Sequence, residues 1–477
     1  MDVNKKNKPL LGIIAVAKIN HQKDEINQML SYYKEHFSKE KDIEFIATEK
    51  VLFNENDIVE CARSMEVKGA DLIVFIVGTW IYSSNIISAV NDLNVPFILY
   101  GLSDRIANGN FGASLQIRYV LQEMNKNFMY LCGPVKDNEN ITKILKYLKA
   151  AWVKNYLRNR KIATIGGKCM MMYQTQVNEF CWKSVFGIDF PQYDAVHVFK
   201  EMDNVSQEEA KSAEKELTAR VDKVNWEMGK DKLEKDAIFT QAKMYLAFKR
   251  LQKMYNIDVF ANKCIPEMSA IPYGYGYAAC LATCLLNEDN IITACEADVP
   301  AALSMYILHL LSGGLKVFFA DIARLHKNEN KITFFNCGTA PISMADRTKP
   351  VEIFPIPGNI ADEALPEEYY IGKMKGACLS FVLEENKDVT LLRIGGNDNT
   401  LRMHVATAKT CARMVEPDEI IGQRWPGFGL KFKGNINEFL NNTTGHHYSI
   451  VFGNLVDELK YLAEIYNIKF DYFNGLK

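Results

Sequence analysis

No stretch of this sequence approaches the ~18 consecutive apolar residues that a membrane-spanning helix needs, so none reads as a membrane span. An excess of either charge is missing as well: 56 basic residues stand against 58 acidic ones. That balance leaves no electrostatic footprint for nucleic acid or for an anionic membrane. The eleven cysteines are an odd number, set mostly inside apolar runs. They fit reduced thiols in a cytoplasmic protein better than a disulfide framework. Cys280 and Cys284 stand four apart on a predicted helix, but no second pair has zinc spacing, so small buried hydrophobes is the better reading. A GxGxxG after a strand is also lacking. The glycine clusters GNFGAS (109–114) and IGGKCMMMY (165–173) fit ordinary turns. Lysines and a short apolar run near the N-terminus resemble a signal peptide, yet the run lasts only about eight residues and no small-residue cleavage site follows. Leu10 to Ala17 reads instead as a first buried strand. No repeat or low-complexity segment stands out.

What is present is ordinary globular composition, 48% hydrophobic and 24% charged, in a chain of 477 residues. That length exceeds one hydrophobic core and implies two or three domains. Over the first 160 residues, apolar runs at 10–17, 43–48, 71–78, 95–102 and 128–133 alternate with amphipathic stretches. Continuous apolar runs suit strands covered on both faces, and repeated β-α units imply a parallel, doubly wound sheet. A helix near Thr142–Arg160 leads to a second start at KIATIGG (161–167). There the theme repeats with more helix, at Ser206–Val224 and Asp236–Tyr255, and with strands at 257–263, 291–297 and 316–321. From about residue 330 the texture becomes β-prone, in KITFFNCG, VTLLRIGG and LRMHVATA, closing with a helix (Leu455–Tyr466) and a strand (Ile468–Phe473). The expected fold class is therefore α/β: two Rossmann-like doubly wound domains, 1–160 and 161–325, followed by a β-rich C-terminal domain, 326–477.

Ligands of open α/β sheets gather beyond the carboxyl ends of strands, so polar residues that terminate apolar runs are the candidates. In IITACEADVPAALSMYILHLLSGG, Glu296 ends a strand, Asp298 caps the next helix, and Pro300 lies in its first turn. Capping explains Asp298 but not Glu296. In KVFFADIARLHKN, Asp321 ends another apolar run where no cap is obvious. Either acid alone reads equally well as a solvated strand end; two acids at two strand ends can hold a divalent cation. In TTGHHYSIVFG (443–453) two adjacent histidines open an apolar strand. Alternation puts His446 on a face with Tyr448, Ile450 and Phe452, and His447 with Ser449 and Val451. Beside two carboxylates, His447 completes a metal site of two acids and one imidazole. His309 shares a helical stripe with Ala302, Met305 and Tyr306 and reads as a core histidine. His21 and His36 lie in polar segments. His326 and His404 are undecided by spacing, as is YGYGY (273–277), which suits a site lining or a packed loop.

These same places carry a family resemblance. ACEADVPAALSMYILHLLSGGLKVFFADIARLH resembles the acidic core of the L-fucose isomerases and their L-arabinose isomerase relatives. FFNCGTAP, GHHYSIVFGNLVDELKYLAEIYNIKFDYF and CIPEMSAIPYGYGYAACLATCLLNEDN are similar to the family's flanking segments, so the likeness runs from about residue 257 to the C-terminus. The resemblance implies an aldose–ketose isomerase acting on a free sugar. Glu296 and Asp321 then bind manganese (or magnesium in its place) and handle protons, while His447 is the metal-binding histidine. Arabinose isomerases carry a fourth metal histidine where this chain has Asn336, which favours the three-ligand fucose type. Trp80, Lys263, Asn336, His446 and Trp425 match pocket positions, with packing an equal explanation for Trp80, Lys263 and Trp425. The chain is shorter than typical fucose isomerases, mainly in the C-terminal domain, so the residues that choose the sugar differ. The resemblance also implies a homo-oligomer, trimer or hexamer, with shared active sites. The rival expectation is a non-catalytic sugar-binding receptor or regulator of similar fold; a nicotinamide-dependent dehydrogenase is disfavoured by the missing GxGxxG.

Overall fold

The apolar runs at 10–17, 71–78 and 95–102 contain strands whose residues are buried on both faces, whereas the strands in the runs at 43–48 and 128–133 are partly exposed. A computed structural model of the chain describes residues 8–18, 23–103, 110–228, 231–269, 276–356, 375–414 and 425–473. Among them, residues up to Leu157 together with Asp457–Asn467 form one unit, and Arg158–Val456 with the residues from Ile468 onward form another.

In the first unit, β1 (Leu10–Val16), α1 (Lys23–Ser38), β2 (Glu44–Ala47), α2 (Glu55–Val67), β3 (Leu72–Val77), α3 (Ser83–Asn91), β4 (Phe97–Leu102), α4 (Asn110–Glu123), β5 (Met129–Gly133) and α5 (Asn138–Leu157) follow one another. The strands form one parallel sheet in the order β2-β1-β3-β4-β5. Every residue of β1, β3 and β4 is buried. Alternate side chains serve opposite faces: Ile14, Phe75 and Leu99 join Ile58, Ile86 and Ile117 of α2, α3 and α4 in one cluster. On the other face, Tyr33 of α1 meets Tyr100 of β4 edge-on at 6.3 Å. The helix Val456–Tyr466 belongs to this unit through a tilted Tyr147–Tyr461 ring contact at 5.5 Å and the 2.7 Å Lys146–Asp457 ion pair. Asn454 accepts from the Val456 N–H at 3.1 Å just before that helix.

The second unit begins with β6 (Ile162–Ile165), α6 (Glu179–Phe186), β7 (Gln192–Tyr193), α7 (Ala195–Asn204) and α8 (Gln207–Thr218). The short strands β8 (Lys223–Val224), β9 (Glu227–Met228) and β10 (Asp231–Lys232) precede α9 (Ala237–Tyr255), β11 (Val259–Asn262), α10 (Cys280–Glu288), β12 (Thr293–Ala294) and α11 (Val299–Leu311). A β-rich run follows: β13 (Phe318–His326), β14 (Lys331–Phe335), β15 (Glu352–Pro355), β16 (Ala377–Ser380), β17 (Asp388–Gly395), β18 (Arg402–Cys411), β19 (Gly427–Phe432), β20 (His447–Phe452) and β21 (Lys469–Phe473).

Two sheets matter for the site. The first is parallel, in the order β12-β11-β6-β7. The second runs β17-β20-β13-β14-β19-β18, and β18 pairs back to β17, so six antiparallel strands close into a barrel with β21 added beside β18. Closure removes the open edges that a six-stranded sheet would expose. Phe318, Phe334, Phe428, Tyr448, Ile450, Leu391 and Ala406 belong to one buried core. Helix α11 packs against β11 and β12 of the parallel sheet and against β17 and β20 of the barrel. A helix covered on opposite sides must be apolar all round, and twelve of its residues are buried, from Val299 to Leu311.

The α/β class with a β-rich C-terminal part is borne out by these sheets. The sheets expected for 161–325 and 326–477 lie together in the second unit, and β13 crosses residue 325. Asp321 therefore stands on a barrel strand, whereas Glu296 leaves the parallel sheet. Among the described residues, no helix is long and apolar enough to cross a membrane.

Candidate metal centre

Three pieces of backbone bring the predicted acids and histidine to one point. β12 is only two residues long, and the chain leaves it through Glu296 and Ala297, both left-handed with φ of 58° and 51°. Such φ values cost roughly 1–2 kcal/mol per non-glycine residue, so two in succession need a reason. The Ala297 N–H is held by the Asn262 carbonyl at 3.1 Å, and Asp298 then caps α11 by accepting from the Ala301 N–H at 2.8 Å. The turn thus delivers Glu296 to the amino end of α11.

Asp321 and His447 arrive from the barrel. They face each other directly across the antiparallel β13–β20 ladder. Asp321 Oδ1 lies 3.1 Å from His447 Nε2, and Glu296 Oε2 lies 3.2 Å from the same nitrogen. One ligand atom from each of Glu296, Asp321, His446 and His447 falls within a 4.8 Å cluster. His447 is fully buried, whereas the two carboxylates keep 18% and 20% exposure, which leaves an approach from solvent.

The surroundings fix these groups. Asn336 donates to Asp321 Oδ2 at 3.0 Å, while its own oxygen accepts from the Gly338 N–H and the Thr339 hydroxyl. Asp298 Oδ2 stands 2.7 Å from His447 Nδ1 and accepts from Arg393 Nη1 at 3.0 Å. Arg393 also donates to the carbonyls of His447 at 3.0 Å and Gln174 at 2.9 Å. Burial raises the Glu296 carboxyl above its ordinary range; Asp321 and Asp298 add to the rise and His447 opposes it. Burial would also raise Asp298, but Arg393, His447 and the Ala301 N–H outweigh it and hold that carboxyl at about 2. For His447, burial disfavours charge, yet Glu296, Asp298 and Asp321 prevail and hold the imidazole well above its usual range. Nε2 nevertheless has no partner with hydrogen-bond geometry, despite two carboxylate oxygens nearby. A buried nitrogen facing two acids without a hydrogen bond fits a donor set for a divalent cation.

The other predicted residues divide. Alternation holds within β20, where Tyr448 and Ile450 enter the core and Ser449 donates to the Ala301 carbonyl at 3.1 Å. It does not extend to His446, which precedes the first ladder residue: its ring centroid is 3.9 Å from that of His447, and Nδ1 lies 3.3 Å from Gln174 Nε2. Lys263 follows β11 and is paired with Glu267 at 2.7 Å. Trp425 is 9% exposed and packs at 5.6 Å on Phe335, the β14 partner of Asp321. Trp80 belongs to the first unit, just past β3, and is 40% exposed. His309 bonds the Leu315 carbonyl at 3.0 Å, as a structural histidine does. His21 and residues 273–275 of YGYGY lie outside the described residues. Sequence reasoning missed two residues: Asp298 as more than a cap, and Arg393 altogether. The signal for Arg393 was a lone cation inside the apolar strand VTLLRIGG, since a buried charge requires a partner.

Residues 334–474 match the L-fucose isomerase C-terminal domain family. Relatives named sulfoquinovose isomerase match a larger share of the chain than that domain. One from Clostridium sp. (strain MSTE9) is 25% identical, covering 72% of this chain and 71% of its own. Another from Alkalicoccus urumqiensis is 23% identical, covering 83% and 85%. In these matches the chain resembles the L-fucose isomerase-like family. It is an enzyme, an aldose–ketose isomerase of sugars. A solved periplasmic solute binding protein of an ABC transporter from Actinobacillus succinogenes 130z, with bound D-allose, overlaps 64% of this isomerase and 92% of its own chain at 14% identity. Its TM-score of 0.17 carries no argument.

Proposed function

We propose that this isomerase is manganese-dependent, works through a cis-enediol, and takes a sulfonated aldohexose of the sulfoquinovose kind. The observation that carries the metal reading is the meeting of Glu296, Asp321 and His447 Nε2 from two different sheets, with Nε2 buried and without a hydrogen-bond partner. Two carboxylates and one imidazole suit manganese or magnesium better than zinc. When bound, the cation supplies Lewis acidity toward the sugar carbonyl.

The chain's own residues handle the proton. Glu296 and Asp321 form the general acid/base pair on opposite sides of the enediol plane. One carboxylate removes the proton alpha to the carbonyl, and a proton returns at the neighbouring carbon; the direction of reaction decides which begins. The raised Glu296 carboxyl suits that exchange, because a group titrating nearer neutrality both accepts and releases a proton. Asn336, whose oxygen is already engaged by Gly338 and Thr339, acts on Asp321 by holding its Oδ2 and leaving Oδ1 to the site.

The substrate class rests on the relatives named for sulfoquinovose, which cover most of the chain at 22–25% identity. The test is direct: incubate the protein with sulfoquinovose, L-fucose, D-arabinose and L-arabinose plus manganese, with and without chelator, and measure ketose. Ketose from sulfoquinovose alone, lost on chelation, is expected. Sugar binding without any turnover would mark a receptor instead. We also propose a cytoplasmic homo-oligomer, trimer or hexamer with shared sites, which light scattering tests.

A further inference from the structure

We propose that Asp298 and Arg393 are positioning residues for the isomerase: Asp298 fixes the tautomer of His447 so that Nε2 offers its lone pair between Glu296 and Asp321, and Arg393 locks both partners in place. This rests on the metal-dependent reading above.

A neutral imidazole has one nitrogen that donates and one that accepts, and a hydrogen bond at one decides the role of the other. His447 Nδ1 stands 2.7 Å from Asp298 Oδ2, in surroundings where both residues are fully buried. An ionised carboxylate only accepts, so when the ring is neutral the proton that remains is the one on Nδ1 and the lone pair falls on Nε2. Nε2 is the nitrogen 3.2 Å from Glu296 and 3.1 Å from Asp321. Carboxylate–imidazole pairs of this kind raise ligand basicity and hold ring orientation. Asp298 is itself immobilised twice: Oδ1 caps α11 through the Ala301 N–H, and Oδ2 accepts from Arg393. The helix that buries itself between two sheets thus supplies a rigid mount for the carboxylate.

Arg393 performs the second half. Its Nη1 reaches both Asp298 Oδ2 and the His447 carbonyl, and its Nη2 reaches the Gln174 carbonyl. One guanidinium therefore ties the backbone of His447, the carboxylate that orients its ring, and the Gln174 segment that touches His446. A lysine has a point charge and cannot span these directions with fixed geometry.

The alternative is that Asp298 is only a helix cap with Arg393 as counter-charge. Asp298→Asn separates the two, because asparagine caps as well as aspartate but turns an NH2 group toward Nδ1, favouring the proton on Nε2. Manganese affinity, read by electron paramagnetic resonance of free Mn2+, should weaken roughly 10- to 100-fold. kcat should fall at least in proportion, with sugar KM changed little. Arg393→Lys should weaken Mn2+ in the same direction by less. Thermal melting of the metal-free proteins reports the capping contribution separately. Should either variant fail to fold, 15N spectra of histidine-labelled wild-type enzyme loaded with Mg2+ decide: a His447 ring protonated at Nδ1 supports the proposal, and one protonated at Nε2 overturns it. Asp298→Asn with wild-type Mn2+ affinity and kcat removes the positioning role alone. Wild-type enzyme that isomerises without binding Mn2+ removes the metal reading, and the proposal with it.

Discussion

Asp321 and His447 are directly opposed residues of the β13–β20 ladder, and the aspartate Oδ1 lies 3.1 Å from the imidazole Nε2. Cross-strand neighbours have Cβ atoms roughly 5 Å apart, so a carboxylate and an imidazole there meet without any loop rearrangement. Glu296, delivered from the other sheet by two left-handed residues, is what turns this pair into a three-sided site.

Chelation is expected to abolish isomerisation and lower thermal stability, with manganese restoring both. The site gathers two carboxylates of like charge, whose repulsion a divalent cation relieves. Free manganese at about 100 times its Kd adds about 2.7 kcal/mol of stability, enough to read as a shift of several degrees in a melting scan. Full activity in excess chelator would contradict the metal requirement.

The two histidines should behave unequally. His447→Ala removes a fully buried imidazole from the proposed metal site and leaves two carboxylates with an open position. Bound manganese should fall by more than the ~10- to 100-fold typical of outer partners, with turnover falling alongside. His446→Ala removes an exposed ring that lies tilted against His447, so metal should stay bound while turnover drops modestly. Loss of metal from His446→Ala with retention in His447→Ala would reverse the assignment.

Gly445→Ala tests the guanidinium mount without touching a ligand. A Cβ at residue 445 would stand 2.7 Å from Arg393 Cζ and Nη2, and Arg393 is buried and tied to Asp298 and to the His447 and Gln174 carbonyls. Overpacking of this kind costs about 1–3 kcal/mol. The denaturant midpoint should fall accordingly, and manganese affinity with it. An unchanged midpoint would show that the guanidinium yields freely.

His404 sets a pH dependence of stability away from the site. Its ring is fully buried, bonds Tyr448 at 2.8 Å through Nδ1 and stacks on Phe473 at 4.4 Å. Burial lowers its pKa from 6.5 to about 4. The unfolded chain takes up a proton below pH 6.5 that the folded chain refuses until about pH 4. Stability fully present above pH 6.5 is therefore lost as pH falls through that window, by up to about 3 kcal/mol. Urea unfolding of His404→Phe beside wild type should show a flatter pH profile between these values. Parallel profiles would refute the assignment.

Local sequence determined much of this protein. Continuous apolar runs specified β1, β3 and β4, and the cap-and-proline pattern after Cys295 specified the start of α11, because burial on both faces and unsatisfied helix N–H groups leave few alternatives. The parity of β20 put His447 opposite Tyr448, as side-chain alternation requires. His446 lay beyond that reach, since alternation governs only residues inside the ladder. Only the tertiary structure decided the rest. The β17–β18 pairing is a local hairpin, but barrel closure also sets β20 between β13 and β17, partners many residues apart, and no local period records that. The same holds for Arg393 and Asp298, which lie 95 positions apart and meet because α11 is pressed between the two sheets. A charge in an apolar strand announces that it needs a partner; which partner it finds is fixed by packing.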